Sequence, residues 1–239
     1  VTLHVEDLAH RREAAAASSF EGVGFRVRAG ELLLLAGPSG SGKTTLLRTL
    51  AGLERSTGGR VCVNDRDFVP GDAHALGLVF QTHELFPHLS VLANCTLGLT
   101  VGRRVDAAHA EATARTCLDE LGVGDLAERY PDRLSHGQRQ RVAIARALAL
   151  APAVLLLDEP SASLDPLARR DLAEVLRRLK ARSIAVVVVS HDFALLDVAD
   201  RLGVLAAGRL VEEGPTASVL ANPHHDVTRA LLEASRRVR

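Results

Sequence analysis

Nine residues constrain this chain of 239 more tightly than any others: Gly37, Pro38, Ser39, Gly40, Ser41, Gly42, Lys43, Thr44 and Thr45. They fit the pattern G-x-x-x-x-G-K-[ST]. They follow an apolar run, Leu32–Ala36, that reads as a strand, and they lead into a helical run, Thr45–Leu50. Small residues let successive backbone N–H groups point inward at phosphate oxygens, and the helix behind presents its positive end to the same anion. Lys43 has the reach for β- and γ-phosphates, and the Thr44 hydroxyl can hold Mg²⁺. A strand must therefore deliver the chain to a tight turn and a helix must carry it away, which is the grammar of an α/β fold.

The rest of the chain supplies the sheet. Leu32–Ala36, Leu76–Phe80, Val154–Leu157 and Ile184–Val189 read as short strands, at least three of them buried on both faces. Gly58–Asn64 alternates through Val61 and Val63 and reads as an antiparallel edge strand. Asp106–Leu121 is expected to be helical, with Ala114, Cys117, Leu118 and Leu121 on one face and Gly122 as its stop. Leu167–Lys180 places Leu172, Val175, Leu176 and Leu179 at i, i+3, i+4 and i+7, after Asp165 and a first-turn Pro166. From about Glu84 to Ala151 the pattern is mainly helical and interrupts the strand–helix alternation. A helical subdomain inserted into one domain spanning residues 1–239 is the expected organisation.

A second acidic element completes a phosphate site. The run AVLLLDEP places Asp158 at a strand end, where a carboxylate supports the metal beside a phosphate loop. Glu159 follows directly. Two adjacent carboxylates in a closed site repel unless a metal or proton offsets them. The reading that uses the second one is a general base for an attacking water. Formal net charge is +0, which argues against a general polyanion binder. Cys62, Cys95 and Cys117 are odd in number and show no zinc spacing, so reduced thiols are expected. The longest apolar runs fall far below the ~20 residues that span a bilayer. VTLHVEDLAHRRE lacks the apolar core of a signal peptide, so a cytosolic chain is expected.

The polar run LSHGQRQR, Leu134 to Arg141, has no ligand within its own surroundings. Ser135 opens a predicted helix, Gly137–Leu150, so its hydroxyl and neighbouring N–H groups can meet a phosphate at a positive helix end.

These motifs, in this order, resemble the ATPase subunit of ATP-binding cassette (ABC) transporters over nearly the whole chain. After GPSGSGKTT, the VFQ triplet resembles that family's Q-loop through Gln81. LSHGQRQR resembles its signature motif, LLLDEP its second nucleotide motif, SASLD its D-loop and SHD its switch histidine, His191. The resemblance implies an α/β, P-loop NTPase fold of the ABC ATPase type. That fold has a mostly parallel sheet core, an antiparallel β subdomain and an inserted helical subdomain. It also implies ATP and Mg²⁺ as ligands, with two subunits packed head to tail. Each ATP would then lie between one phosphate loop and Ser135, Gly137 and Gln138 of the other subunit. In this scheme Thr44, Asp158 and Gln81 stand near the metal, Glu159 and His191 join Gln81 as catalytic groups, and Asp165 links the two sites.

Three positions depart from the pattern. His136 stands where glycine is usual. Histidine is tolerated there if the position needs no positive φ, and His136→Gly should preserve activity. Ser161 and Ala162 exchange the usual order in the D-loop, while Leu164 and Asp165 are kept. The stretch His10–Ser19 carries no aromatic residue to stack on adenine, and Phe20 lies too close to the next strand. Arg12 or His10 offers a flat cationic or imidazole face instead, and weak discrimination of ATP over GTP follows.

Leu85 and Phe86, just after Gln81, are candidates for a groove that receives a membrane subunit. Segments Leu85–Leu99 and Glu128–Ala149, and the tail from Val211, resemble ATPase subunits of bacterial uptake systems for polar amino acids, and similar segments occur in importers of thiamine, polyamines and other small solutes. No large carboxy-terminal regulatory domain of the sugar-importer kind is expected. The expected partners are a second, identical ATPase subunit, transmembrane permease subunits and, indirectly, an extracytoplasmic solute-binding protein, with no nucleic acid. The expected location is the cytoplasmic face of a bacterial membrane. Two alternatives are a soluble ABC-type ATPase of DNA repair or translation, and a weakly hydrolysing regulatory subunit. The absence of heptads between Thr45 and Leu134 speaks against the chromosome-type members.

Overall fold

A computed structural model describes residues 2–11, 18–72, 74–162, 164–191 and 193–237. The first two strands, β1 (Thr2–Arg11) and β2 (Ser18–Arg28), are antiparallel partners. Then come β3 (Leu32–Ala36), α1 (Lys43–Leu50), β4 (Gly58–Val63), the two-residue β5 (Arg66–Asp67) and β6 (Leu76–Val79). A helical stretch follows. It holds α2 (Val91–Leu97), running into a π-helical turn at Gly98–Gly102, then α3 (Ala107–Glu120) and α4 (His136–Ala149). The remaining elements are β7 (Val154–Asp158), α5 (Pro166–Ala181), β8 (Ala185–Ser190), β9 (Arg201–Ala206), β10 (Arg209–Pro215), α6 (Thr216–Ala221) and α7 (Asp226–Arg237).

Two sheets organise these elements. The larger has the order β10-β9-β3-β8-β7-β6, parallel except for β10 at its edge. The smaller has the order β2-β1-β4-β5 and is antiparallel throughout. Gly58–Val63 is therefore antiparallel, as its alternation predicts, but it is not the edge. The short β5 pairs along its outer side at Cys62 and Val63.

The central strands β3, β7 and β8 are buried along their whole length, which explains their unbroken apolar runs. Their side chains alternate between two separate cores. Leu32, Leu34, Leu155, Leu157, Val186 and Val188 join one core with the faces of α2 to α5. Leu33, Leu35, Val154, Leu156, Val187 and Val189 join the other, with Leu46, Leu47 and Leu50 of α1 and the inner face of the small sheet. Each such side chain contributes roughly 1.5–3 kcal/mol of burial. Strand period two thus fastens a helical layer to one face and a β layer to the other.

The helix ends obey their local sequence. Asp165 caps α5 by accepting from the Ala168 N–H at 2.8 Å, with Pro166 at the first helical position. Asp106 caps α3 in the same way, and Gly122 beyond its end has φ +66°. The three cysteines are free and buried.

Candidate active site

Parallel strands send all their carboxyl ends to one edge of a sheet, and four adjacent ends meet there. β3 leads to the phosphate loop, β8 to His191, β7 to Asp158 and Glu159, and β6 to Gln81. The register places Ala36 opposite Ser190 and Asp158 opposite Val189. Residues 36, 81, 158 and 191 thereby converge from widely spaced stretches of sequence.

The phosphate loop is shaped by close approaches that admit no side chain. A Cβ on Gly37 would stand 2.2 Å from the Leu205 carbonyl oxygen and 2.8 Å from Ser41 Oγ. Gly42 has φ +100°, and a Cβ there would stand 2.5 Å from the Ser19 carbonyl oxygen. The helix that leaves the loop begins at Lys43, two residues earlier than its sequence pattern alone places it. Lys43 Nζ donates to the carbonyls of Gly37 at 2.8 Å and Pro38 at 3.1 Å. Burial lowers the Lys43 pKa, and Glu159 and Asp158 oppose that shift. Ser41 Oγ is buried with no hydrogen-bond partner among the described residues. A buried hydroxyl without a partner beside a cationic side chain, in a turn of small residues, fits a phosphate ligand.

The oxygen set at the metal position also fits. Thr44 Oγ1 donates to Asp158 Oδ1 at 3.2 Å. Asp158 is buried, and burial raises its pKa. The Thr44 bond opposes that rise, and the Glu159 charge adds to it. A hydroxyl and a carboxylate are hard oxygen donors of the type Mg²⁺ takes. Gln81 is exposed, and its side chain makes no hydrogen bond to Thr44 or Asp158 among the described residues.

Glu159 and His191 are in direct contact. Glu159 Oε2 lies 2.8 Å from His191 Nδ1 and accepts from the His191 N–H and Ser190 Oγ, both at 3.2 Å. Glu159 itself has φ 46°, a strained backbone for a residue with a side chain, and its N–H is held by the Val189 carbonyl at 2.9 Å. That turn aims the carboxylate across to the end of β8. Ser190 is a contributor the sequence reasoning missed. Its only signal was its place directly before His191.

Ser135, Gly137 and Gln138 sit at the start of α4. Among the described residues no hydrogen bond joins them to the phosphate loop. The Ser135 hydroxyl accepts from the Gln138 N–H at 3.2 Å, and Gln138 Oε1 accepts from the Ser135 N–H at 2.8 Å, forming a capping box. The helix starts at His136, one residue before its expected start. Arg139 donates to the Leu134 carbonyl, and Arg141 faces Asp171 at 3.9 Å, so both serve local contacts.

The adenine candidates are revised. His10 is only 8% exposed. Its Nδ1 lies 3.0 Å from the Arg55 carbonyl oxygen, its Nε2 is paired with Glu54, and its ring stacks on Phe20 at 6.0 Å. Its face is spent inside the protein, as is that of the fully buried Phe20. Arg12 lies outside the described residues, as do Ser163 of the D-loop and Asp192 after the switch histidine.

An apolar groove of about 380 Å³ is lined in part by Leu76, Leu78, Phe86, Leu97, Val101 and Leu150. Phe86 and Val101 are exposed on it, whereas Leu85 is half-buried against the helical core. Asn94, fully buried on α2, shapes the rim. It accepts from the Phe86 N–H and donates to the carbonyls of Phe86, Leu89 and Ser90. A larger cavity of about 990 Å³ lies between the small sheet and the amino ends of β3 and β9, where Arg201 is already paired with Glu31 and Glu213.

Known proteins resemble this chain over most of its length. A family model described as ABC transporter matches residues 20–162. The sulfate/thiosulfate import ATP-binding protein of Xanthomonas campestris pv. campestris is 45% identical over 221 residues, which cover 89% of this chain and 64% of that protein. The methionine import ATP-binding protein of Rhodopseudomonas palustris is 38% identical over 233 residues, which cover 94% and 62%. The chain thus spans less than two thirds of the length of these relatives. A dimeric structure of a bacterial ABC transporter cassette matches with a TM-score of 0.80 at 28% identity, covering 90% of this chain and 98% of that one.

Proposed function

The chain belongs to the ABC transporter family, and on that premise we propose that it binds ATP with Mg²⁺ and hydrolyses it as one of two ATPase subunits that energise a bacterial importer of a small solute. One observation carries the reading. The Glu159 carboxylate, in contact with His191, stands next to Asp158, which accepts from Thr44 of the phosphate loop.

The chemistry follows from that geometry. The loop N–H groups and the Ser41 hydroxyl hold phosphate oxygens, and Lys43 leaves its loop carbonyls to neutralise them. Thr44 and Asp158 would hold Mg²⁺, with Gln81 near it, and the metal when bound supplies positive charge against the phosphates. Glu159 accepts the proton of the attacking water, and its strained turn fixes where that carboxylate stands. His191 orients Glu159 and hydrogen-bonds the γ-phosphate. Ser135 and the N–H groups of Gly137 and Gln138 meet the same phosphate from a second copy of the chain. Asp165, at the start of α5, lies between the two sites.

The groove beside Phe86 receives a permease subunit. No helix among the described residues is long and apolar enough to cross a membrane, so the membrane is reached through that partner. The solute is read from relatives named for sulfate/thiosulfate and methionine import. The polar amino acid assignment from sequence segments is one member of that small-solute class. A solute-binding protein outside the membrane would complete the system.

Glu159→Gln tests the core of this reading. Turnover should fall at least 100-fold, and the protein should accumulate as an ATP-bound dimer on size exclusion. Phosphate release at the unaltered rate would sink the general-base assignment.

A further inference from the structure

His136, the departure in the signature motif, has a partner. Its ring meets the ring of His83 edge to face, with centroids 4.6 Å apart and planes at 71°. His83 is 3% exposed and lies two residues beyond Gln81. Burial pushes its pKa down to about 4, so it packs as a neutral ring. His83 and Glu84 both have left-handed backbones, φ 65° and 47°, without a glycine between them. Such a turn persists only where its surroundings hold it. Helix α4 provides the hold. Arg146 donates to the carbonyls of His83 at 2.9 Å and Glu84 at 2.6 Å, ten residues along α4 from His136. Gln140, between them, is buried against the same turn. A side-chain hydrogen bond with Gln140 holds the His83 ring one turn into the helix. The ring contact carries that hold to the helix end that bears Ser135.

We propose that His83 and His136 are a matched pair of positioning residues. Their contact keys the Ser135 end of α4 to the strained turn after Gln81. Movement of that turn, whose next residues reach Phe86 in the apolar groove, then moves Ser135. The inference rests on the reading that Ser135 meets ATP held by a second copy. It replaces the expectation that His136→Gly is silent.

The test is a double-mutant cycle on the full chain, reading kcat and KM for ATP together with the melting temperature. His136→Ala and His83→Ala should each lower kcat about two- to tenfold, the range for losing one aromatic pair, with KM changed less than twofold. The double variant should fall no further than the worse single, and His136→Phe, which keeps an edge contact, should recover at least half the wild-type kcat. Multiplying losses, a wild-type kcat in His136→Ala, or no recovery in His136→Phe would each overturn the pairing. His136 is half-buried at a helix start, so its variants report even if His83→Ala fails to fold. Ser135→Ala is the separate control. If its kcat stays at wild type, the cross-copy reading fails, whereas the cycle addresses the ring pair alone.

Discussion

Lys43 carries the steepest single-residue expectation. It is buried, depressed in pKa and, among the described residues, hydrogen-bonded to its own loop carbonyls, so Lys43→Ala should weaken ATP binding at least tenfold in equilibrium titration while leaving the fold intact. His83 gives a pH signature. Its pKa falls from an ordinary 6.5 to about 4, caused first by burial and then by the neighbouring His136, Arg139 and Arg146, with Gln140 opposing. The unfolded chain therefore binds this proton below pH 6.5 while the folded chain refuses it until about pH 4. The stabilisation is complete above 6.5 and is lost as pH falls through that window. At ~1.4 kcal/mol per pH unit the loss is on the order of 3 kcal/mol. Urea midpoints at pH 7 and pH 4.5 should drop more for wild type than for His83→Phe, and equal drops would contradict the assignment. At this scale the sequence already spoke for Lys43, Thr44, Asp158, Glu159 and His191, because each sits in a motif whose chemistry needs that residue type. It was silent on His83, Asn94 and Arg146. Their work is to hold carbonyls and rings distant in sequence, and no local pattern records that. It misjudged His10, whose flat face is consumed by Phe20 and Glu54.

Elements divide by how regular their surroundings are. The strands β3, β7 and β8 and the helices α3 and α5 were legible because burial on both faces or on one stripe leaves an uninterrupted pattern. The strands β1, β2, β9 and β10 were not read. In β1 the alternation of Leu3 and Val5 breaks at a bulge around Asp7, φ 44°, and resumes at Leu8 one face out of step. In β10 the side chains are only half-buried, so no apolar rhythm survives. Helix α4 yields a measurable element-scale effect. Its capping box ties Ser135 to Gln138, so Ser135→Ala should cost about 1 kcal/mol in unfolding free energy besides any effect on turnover. At the other end of α4, where Arg146 and Ala147 line the apolar groove, Val101→Asp puts a charge into it. It should leave the ATPase rate of the isolated chain within twofold while abolishing its co-purification with membranes. Unchanged co-purification would remove the groove from the docking surface.

At the scale of the molecule, one sheet serves two clients. The helical layer holds Ser135 and, with β6, lines the apolar groove proposed for docking. The β layer lies against the face that carries α1 and the phosphate loop. No aromatic face toward a base is presented by the described part of the segment His10–Ser19. ATP and GTP should therefore compete within about threefold of each other, and a strong ATP preference in competition binding would show that a base-reading contact exists elsewhere. The behaviour of Lys43 has a further consequence for how nucleotide enters. Its ammonium already occupies two acceptors in the loop. Arrival of a triphosphate is thus a ligand exchange at one cation rather than the ordering of a slack loop. The local step is the parting of two hydrogen bonds, and the affinity measured for any nucleotide is a difference between neutral carbonyls and an anionic phosphate competing for one ammonium.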